Sequence, residues 1–133
     1  MLPAVQQDSG AYSGRREGWK DKEPSGGERF VAASFYLALM TATCLDLAGA
    51  EGEIVVEGPF ASNEPYLSML AAATARPVAR QKVQGTGTSI GAALLAGGPD
   101  IVVPNPEFAT TSDKTAAMRS YARIWNRAVS AGP

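Results

Sequence analysis

The longest helical pattern in this chain, at residues 28–47, is apolar on nearly every face. One stripe follows the i, i+4, i+7 spacing of a helix and consists of Phe30, Val31, Phe35, Ala38, Ala42 and Leu45. Other faces carry Tyr36, Leu37, Met40 and Cys44. Such a helix is normally buried on several sides, because each large apolar side chain left in water forgoes about 1.5–3 kcal/mol. A chain of 133 residues offers limited cover, so we expect the isolated chain to self-associate.

A strand, a tight glycine turn and a second helix are predicted next. Residues 54–57 begin with three apolar β-formers, as in a strand covered on both faces, and Gly58 and Pro59 form the turn. Asn63 stands where the cap of the second helix belongs. The backbone can approach a ligand at a residue without a Cβ, and the first N–H groups of a helix have no intrahelical partner. The pattern therefore predicts either a small-molecule site or a tight connection.

The later pattern alternates short strands with helices, which indicates the α/β class. The second helix runs from residue 63 to about 74, with an inner stripe of Tyr66, Leu67, Leu70, Ala71 and Thr74. Residues 77–83 are a second strand whose imperfect alternation favours an edge position. A glycine loop at residues 84–91 leads into a small-residue helix at residues 89–96, and residues 101–103 are a third strand candidate.

The last helix is predicted to begin at Ser112 or Asp113 and to end near Val129. Its expected apolar face consists of Ala117, Tyr121, Ile124, Trp125 and Ala128. A basic row runs along another face, at Arg119, Arg123 and Arg127. A charge row at this spacing is typical of a solvated helix face.

Composition and charge exclude several classes of function. The chain has 12 basic and 13 acidic residues, so its net charge of −1 provides no electrostatic footprint for nucleic acid. With no histidine and one cysteine, His-based triads and Cys/His zinc sites are excluded, and no metal ligand is nominated. We expect Cys44 to be a buried thiol in a reducing cytoplasm. No run approaches the ~18 apolar residues of a membrane span and no signal peptide is evident, so neither membrane partner nor export is predicted.

The chain is expected to divide near its first long helix. Residues 1–27 are rich in glycine and polar residues without periodicity, which predicts an extended or loop segment. Its aromatic residues Tyr12 and Trp19 are candidates to lie over a hydrophobic surface. Residues 28–133 hold the periodic elements and are expected to form the domain.

This order of elements resembles the carboxy-terminal part of carbohydrate kinases of the FGGY family. The motifs that carry the resemblance are IVVEGPFASN at residues 54–63 and GTGTSIGAALLA at residues 85–96. Between them lie Arg76, Pro77 and Val78, and the triplet at residues 27–29 precedes the long helix. The resemblance runs from about residue 10 to residue 129.

The resemblance implies part of an actin-like, ribonuclease-H-like ATPase domain with a short sheet and packed helices. In that family the turn after the first strand lies against the adenine and ribose of ATP. By position, the nucleotide-binding residues here are Gly58, Pro59 and Asn63, and the complete kinase is expected to use ATP with Mg²⁺. The chain departs from the family at Glu57, where many members have glycine, and at Gln84, where many have an acid. A carboxylate at residue 57 would repel phosphate, so Glu57 is expected either to turn away or to mark an altered pocket.

The family's sugar-binding amino-terminal half and its catalytic aspartate are missing from this sequence, so no catalytic residue is nominated. Phosphoryl transfer depends on positioning and electrostatic stabilisation that an adenine-side fragment cannot supply. We therefore expect a kinase fragment that is inactive alone and binds a sugar only together with the missing half. Two alternatives stay open: a non-catalytic remnant or assembly module, and a dinucleotide-binding fragment built on Gly85, Gly87 and Gly91.

Overall fold

The described residues fold into a short sheet packed with helices, which confirms the predicted α/β class. The computed structural model describes residues 1–4, 6, 10–81, 87–98, 102, 107–108 and 115–131. The helices are α1 (Gly26–Leu47), α2 (Glu64–Thr74), α3 (Gly87–Gly97) and α4 (Thr115–Ser130). The strands are β1 (Ile54–Val56), β2 (Val78–Arg80) and β3 (Glu107–Phe108). The first three residues of the second predicted glycine loop, the ends of the strand predicted at residues 101–103 and the predicted caps Ser112 and Asp113 lie outside the described residues.

Helix α1 ends at a hydrogen-bonded glycine turn, as the sequence predicts. Gly49 adopts a left-handed φ of 63°. Its N–H donates to the carbonyl of Asp46 at 3.0 Å, and the N–H of Ala50 donates to the carbonyl of Leu45 at 2.9 Å. These two bonds form a Schellman motif, which satisfies carbonyl groups that a helix end otherwise leaves without partners.

The sheet has the order β1-β2-β3, so β2 is the central strand. Strand β2 pairs in parallel with β1 and antiparallel with β3. The predicted edge position of this strand is therefore wrong, because the two-residue strand β3 covers its other side. Strand β1 is covered on one face only: Ile54 and Val56 are buried, whereas Val55 is 52% exposed. The expectation that β1 is covered on both faces is wrong as well.

The core lies where α2 packs between α1 and α4. Helix α2 buries Tyr66, Leu67, Met69, Leu70 and Ala72, so it is covered more widely than its predicted stripe. Helix α4 buries Ala122, Trp125 and Val129. Of the predicted α4 face, Trp125 is buried, whereas Ile124 remains 55% exposed. The buried face therefore differs from the predicted one, and it lies on the helix that packs against α2.

The chain start lies against the helices. The N–H of Leu2 donates to the carbonyl of Gly18, and the Trp125 indole Nε1–H donates to the carbonyl of Met1 at 2.8 Å. The ring of Tyr12 meets the Trp125 ring edge-on, with centroids 5.9 Å apart. The expectation that Tyr12 lies over a hydrophobic surface is therefore confirmed.

One face of α1 remains in solvent, as expected from the limited cover that a chain of this length offers. Phe30 is 59% exposed, and Val31, Leu37 and Leu47 are exposed as well. Cys44 is also exposed, so the expectation of a buried thiol is wrong. By length and composition α1 is able to cross a bilayer, which corrects the expectation that no run approaches a membrane span. Core helices share that property, and Tyr36, Ala38 and Leu39 of α1 are buried in the core.

Candidate functional site

The turn after β1 exposes backbone to solvent at Gly58. This residue adopts a φ of 71°, in the left-handed region that favours glycine. A Cβ placed on Gly58 would meet no other heavy atom within 4 Å. The turn continues as the 3₁₀ segment Gly58–Ser62, in which Pro59 is exposed. The side of Gly58 on which a Cβ would stand is therefore open.

Asn63 connects this turn to α2 and α1. Its Oδ1 accepts a hydrogen bond from the N–H of Tyr66 at 3.1 Å, which caps α2 as predicted. Its Nδ2 donates to Oγ of Ser34 on α1 at 3.0 Å. Ser34 is buried, and its hydroxyl donates to the carbonyl of Phe30 at 2.9 Å. Asn63 thus uses both ends of its amide within the fold.

The carboxylate of Glu57 points toward α3. Its Oε2 accepts a hydrogen bond from the N–H of Gly87 at 2.6 Å. Gly87 is the first residue of α3, where backbone N–H groups have no intrahelical partner. A Cβ on Gly87 would lie 2.8 Å from Oε2 and 3.0 Å from Oε1 of Glu57. Glycine at residue 87 therefore leaves room for this carboxylate.

Two further contacts border the glycine turn. The ring centroids of Phe60 and Tyr66 are 5.1 Å apart. Phe60 remains 43% exposed, so part of this side chain faces solvent. Arg80, at the end of β2, forms an ion pair with Glu64, the first residue of α2. Phe60 was not nominated from the sequence, although an aromatic residue within a glycine turn is a signal for a stacking surface.

Another groove of the described chain lies away from the residues of the glycine turn. It has a volume of about 500 Å³ and lies among the carboxyl-terminal halves of α1, α2 and α4. Its polar lining includes Thr43, Asp46, Arg76 and Asn126. Arg76 is held there by hydrogen bonds from its guanidinium to the carbonyls of Gly52 and Ala50. Gly58, Pro59 and Asn63 do not line this groove.

The half-buried phenol of Tyr121 lies between α4 and α1. Burial raises the pKa of the Tyr121 phenol above its ordinary value of 10.0. Tyr121 meets Phe35 of α1 edge-on, with ring centroids 5.6 Å apart, and belongs to the α1–α4 side of the domain. Among the described residues there is no group of three or more acidic, Cys or His side chains suited to a metal ion.

The sheet, its helices and the strand–glycine turn–helix unit define a partial α/β domain, and comparison with known proteins gives its family. The family model described as carbohydrate kinase FGGY, C-terminal domain, matches residues 1–106. The chain therefore belongs to the FGGY carbohydrate kinase family and represents its C-terminal domain.

One solved structure gives a detailed comparison. The crystal structure of a carbohydrate kinase from Novosphingobium aromaticivorans shares 29% sequence identity with this chain, at a TM-score of 0.75. The match covers 96% of this chain and 28% of the other. The chain thus spans less than a third of the length of the kinase it resembles. A search of curated proteins found no match.

Proposed function

We propose that this chain is the ATP-binding side of an ATP-dependent carbohydrate kinase that phosphorylates a sugar hydroxyl. Family membership supports the reaction class. The observation that carries the nucleotide assignment is the left-handed, solvent-open Gly58 between β1 and α2. In this proposal, the backbone at Gly58 and Pro59 lies against the adenine and ribose, and Asn63 fixes the far end of the turn.

In this proposal Mg²⁺ would bind as a complex with the nucleotide. Mg²⁺ keeps several waters and is commonly bound through substrate phosphates and only one or two carboxylates. A ligand set of that kind does not require a cluster of acidic side chains on this domain. The described residues are therefore compatible with Mg-ATP as the cofactor of the complete kinase.

Catalysis requires the part of a kinase that this chain does not span. Phosphoryl transfer depends on aligning the acceptor hydroxyl and on stabilising the transferred group. The match to 28% of a complete kinase chain supports a division of labour in which the sugar binds only with the remainder. We propose that residues 28–133 form the domain and that residues 1–27 are its extended lead segment. We also propose that the protein acts in the cytoplasm.

The pure chain is expected to show no ATP-dependent phosphorylation of pentoses, hexoses or deoxysugars. A coupled assay of ADP release, with and without each sugar, measures this directly. Sugar-dependent ADP release that follows the chain through purification would contradict the proposed division of labour.

Nucleotide binding is expected to depend on Gly58. An arginine there would fill the open space above the turn and strain the left-handed backbone. Gly52 is a matched control, because it lies at the opposite end of β1, has a φ of 78° and also has open space around its Cβ position. In calorimetric titrations with ADP, Gly58→Arg should abolish binding and Gly52→Arg should retain it. Equal affinity in Gly58→Arg and Gly52→Arg would contradict the assignment.

A non-catalytic assembly module is the second candidate. It is favoured by Asn63, whose amide oxygen caps α2 and whose amide nitrogen bonds Ser34, and by the exposed apolar face of α1. The strand topology argues against the dinucleotide-binding hypothesis. A Rossmann unit joins parallel strands through its helix, whereas β2 and β3, on either side of α3, are antiparallel.

A further inference from the structure

The inference concerns Glu57, the carboxylate between β1 and the Gly58 turn, and it rests on the proposed nucleotide site. Glu57 directly precedes Gly58, so any ligand on that turn lies beside this residue. Its Oε2 is 2.6 Å from the N–H of Gly87, which places a negative charge on the first turn of α3. The helix end is thus occupied by a group of this chain.

A carboxylate and a phosphate compete for the same kind of donor. The amino end of a helix favours anions through its unpaired N–H groups and its dipole. At α3 the carboxylate of Glu57 already accepts from the first N–H. The absence of a Cβ at Gly87 provides the space, since a Cβ would lie 2.8 Å from Oε2.

The neighbouring cation has its own partner. Arg80 is aligned with Val56 across the parallel pair β1–β2, so it lies next to the strand end that carries Glu57. Its guanidinium forms an ion pair with Glu64. Arg80 is therefore already engaged by another carboxylate, and Glu57 takes part in neither ion pair of the described residues.

We propose that Glu57 is a specificity-determining residue that excludes phosphate from the amino end of α3. A nucleotide bound at the Gly58 turn must then direct its phosphates away from α3. Removal of the charge should strengthen binding of the phosphorylated ligand while binding of the nucleoside stays the same. The two ligands that separate these effects are ADP and adenosine.

The test compares the full chain with Glu57→Gln and Glu53→Gln. Glutamine at residue 57 keeps an oxygen that accepts from Gly87, and it replaces the second carboxylate oxygen by an uncharged amide NH2. Glu53 is exposed in the loop before β1 and provides the same change of net charge at another place. Calorimetric titrations should show ADP affinity about fivefold or more higher in Glu57→Gln. Adenosine affinity should not change, and Glu53→Gln should alter the ADP affinity by less than about twofold.

The outcomes separate this inference from the proposed function. An equal ratio of ADP to adenosine affinity in the wild-type chain and Glu57→Gln would overturn the role of Glu57 and leave the nucleotide site standing. A loss of adenosine affinity in Glu57→Gln would also overturn it, because the residue would then be needed for the turn itself. Absence of both adenosine and ADP binding in all variants would overturn the proposed function, and this inference with it.

Discussion

Asn63 shows how one side chain joins three parts of this domain. It caps α2 through Oδ1, and its Nδ2 reaches the buried Ser34 of α1, while its backbone ends the Gly58 turn. The sequence predicted the cap, because Asn followed by Glu64 and Pro65 is typical of a helix start. The bond to Ser34 was not predictable, since it joins residues 29 positions apart.

Asn63→Ala should lower the free energy of unfolding by roughly 1–3 kcal/mol, because the α2 cap and the bond to Ser34 are both lost. Asn63→Asp keeps the capping acceptor and loses the Nδ2–H donor, so its loss should be smaller than that of Asn63→Ala. Urea denaturation followed by circular dichroism measures all three proteins. Unfolding of Asn63→Ala at the wild-type midpoint would show that these bonds contribute nothing to the fold.

At the scale of elements, the ends of helices were more predictable than their faces. Gly49 and Asn63 act through their own backbone geometry and capping chemistry, which are local and visible in the sequence. The buried face of α4 depends on which of its residues meet α2, and periodicity alone does not contain that information. Strand β3 was missed because two residues provide no alternation to detect.

The exposed face of α1 should drive self-association. Phe30 and Leu37 are seven residues apart, so they lie on one side of the helix, and both are exposed. Next to them lies an apolar groove of about 450 Å³, whose lining includes Val31, Phe35 and Tyr121. The double variant Phe30→Gln, Leu37→Gln should therefore be more monomeric than the wild-type chain in sedimentation velocity at equal concentration.

A core variant provides the contrast for that experiment. Leu39 is 2% exposed, so Leu39→Ala should cost about 2–5 kcal/mol of folding free energy without removing the exposed face. The double variant should unfold close to the wild-type midpoint. A wild-type chain that sediments as a stable monomer at high concentration would contradict self-association through α1.

At the scale of the whole molecule, the α/β class, the four helices, β1 and the family were predictable from the sequence. The motif at residues 54–63 is read directly from residue types that a tight turn and a helix cap require. The hydrogen bond from Gly87 to Glu57 was not predictable, because nothing local fixes the direction of a glutamate side chain. The sequence indicated only that residue 57 is a glutamate, whereas many members of the family have glycine at this position.

The central proposal is that the Gly58 turn forms an adenine-nucleotide site in a chain that covers 28% of the carbohydrate kinase it resembles. Thermal unfolding of the pure chain with Mg-ATP, ADP or NAD tests it most directly, with Gly58→Arg as the variant that loses the site. A ligand at about 100 times its dissociation constant stabilises a folded binder by roughly 2.7 kcal/mol. We predict a higher unfolding temperature with ATP and ADP, and no shift with either nucleotide in Gly58→Arg. A cooperative transition that none of these ligands moves would contradict the claim and favour the assembly module.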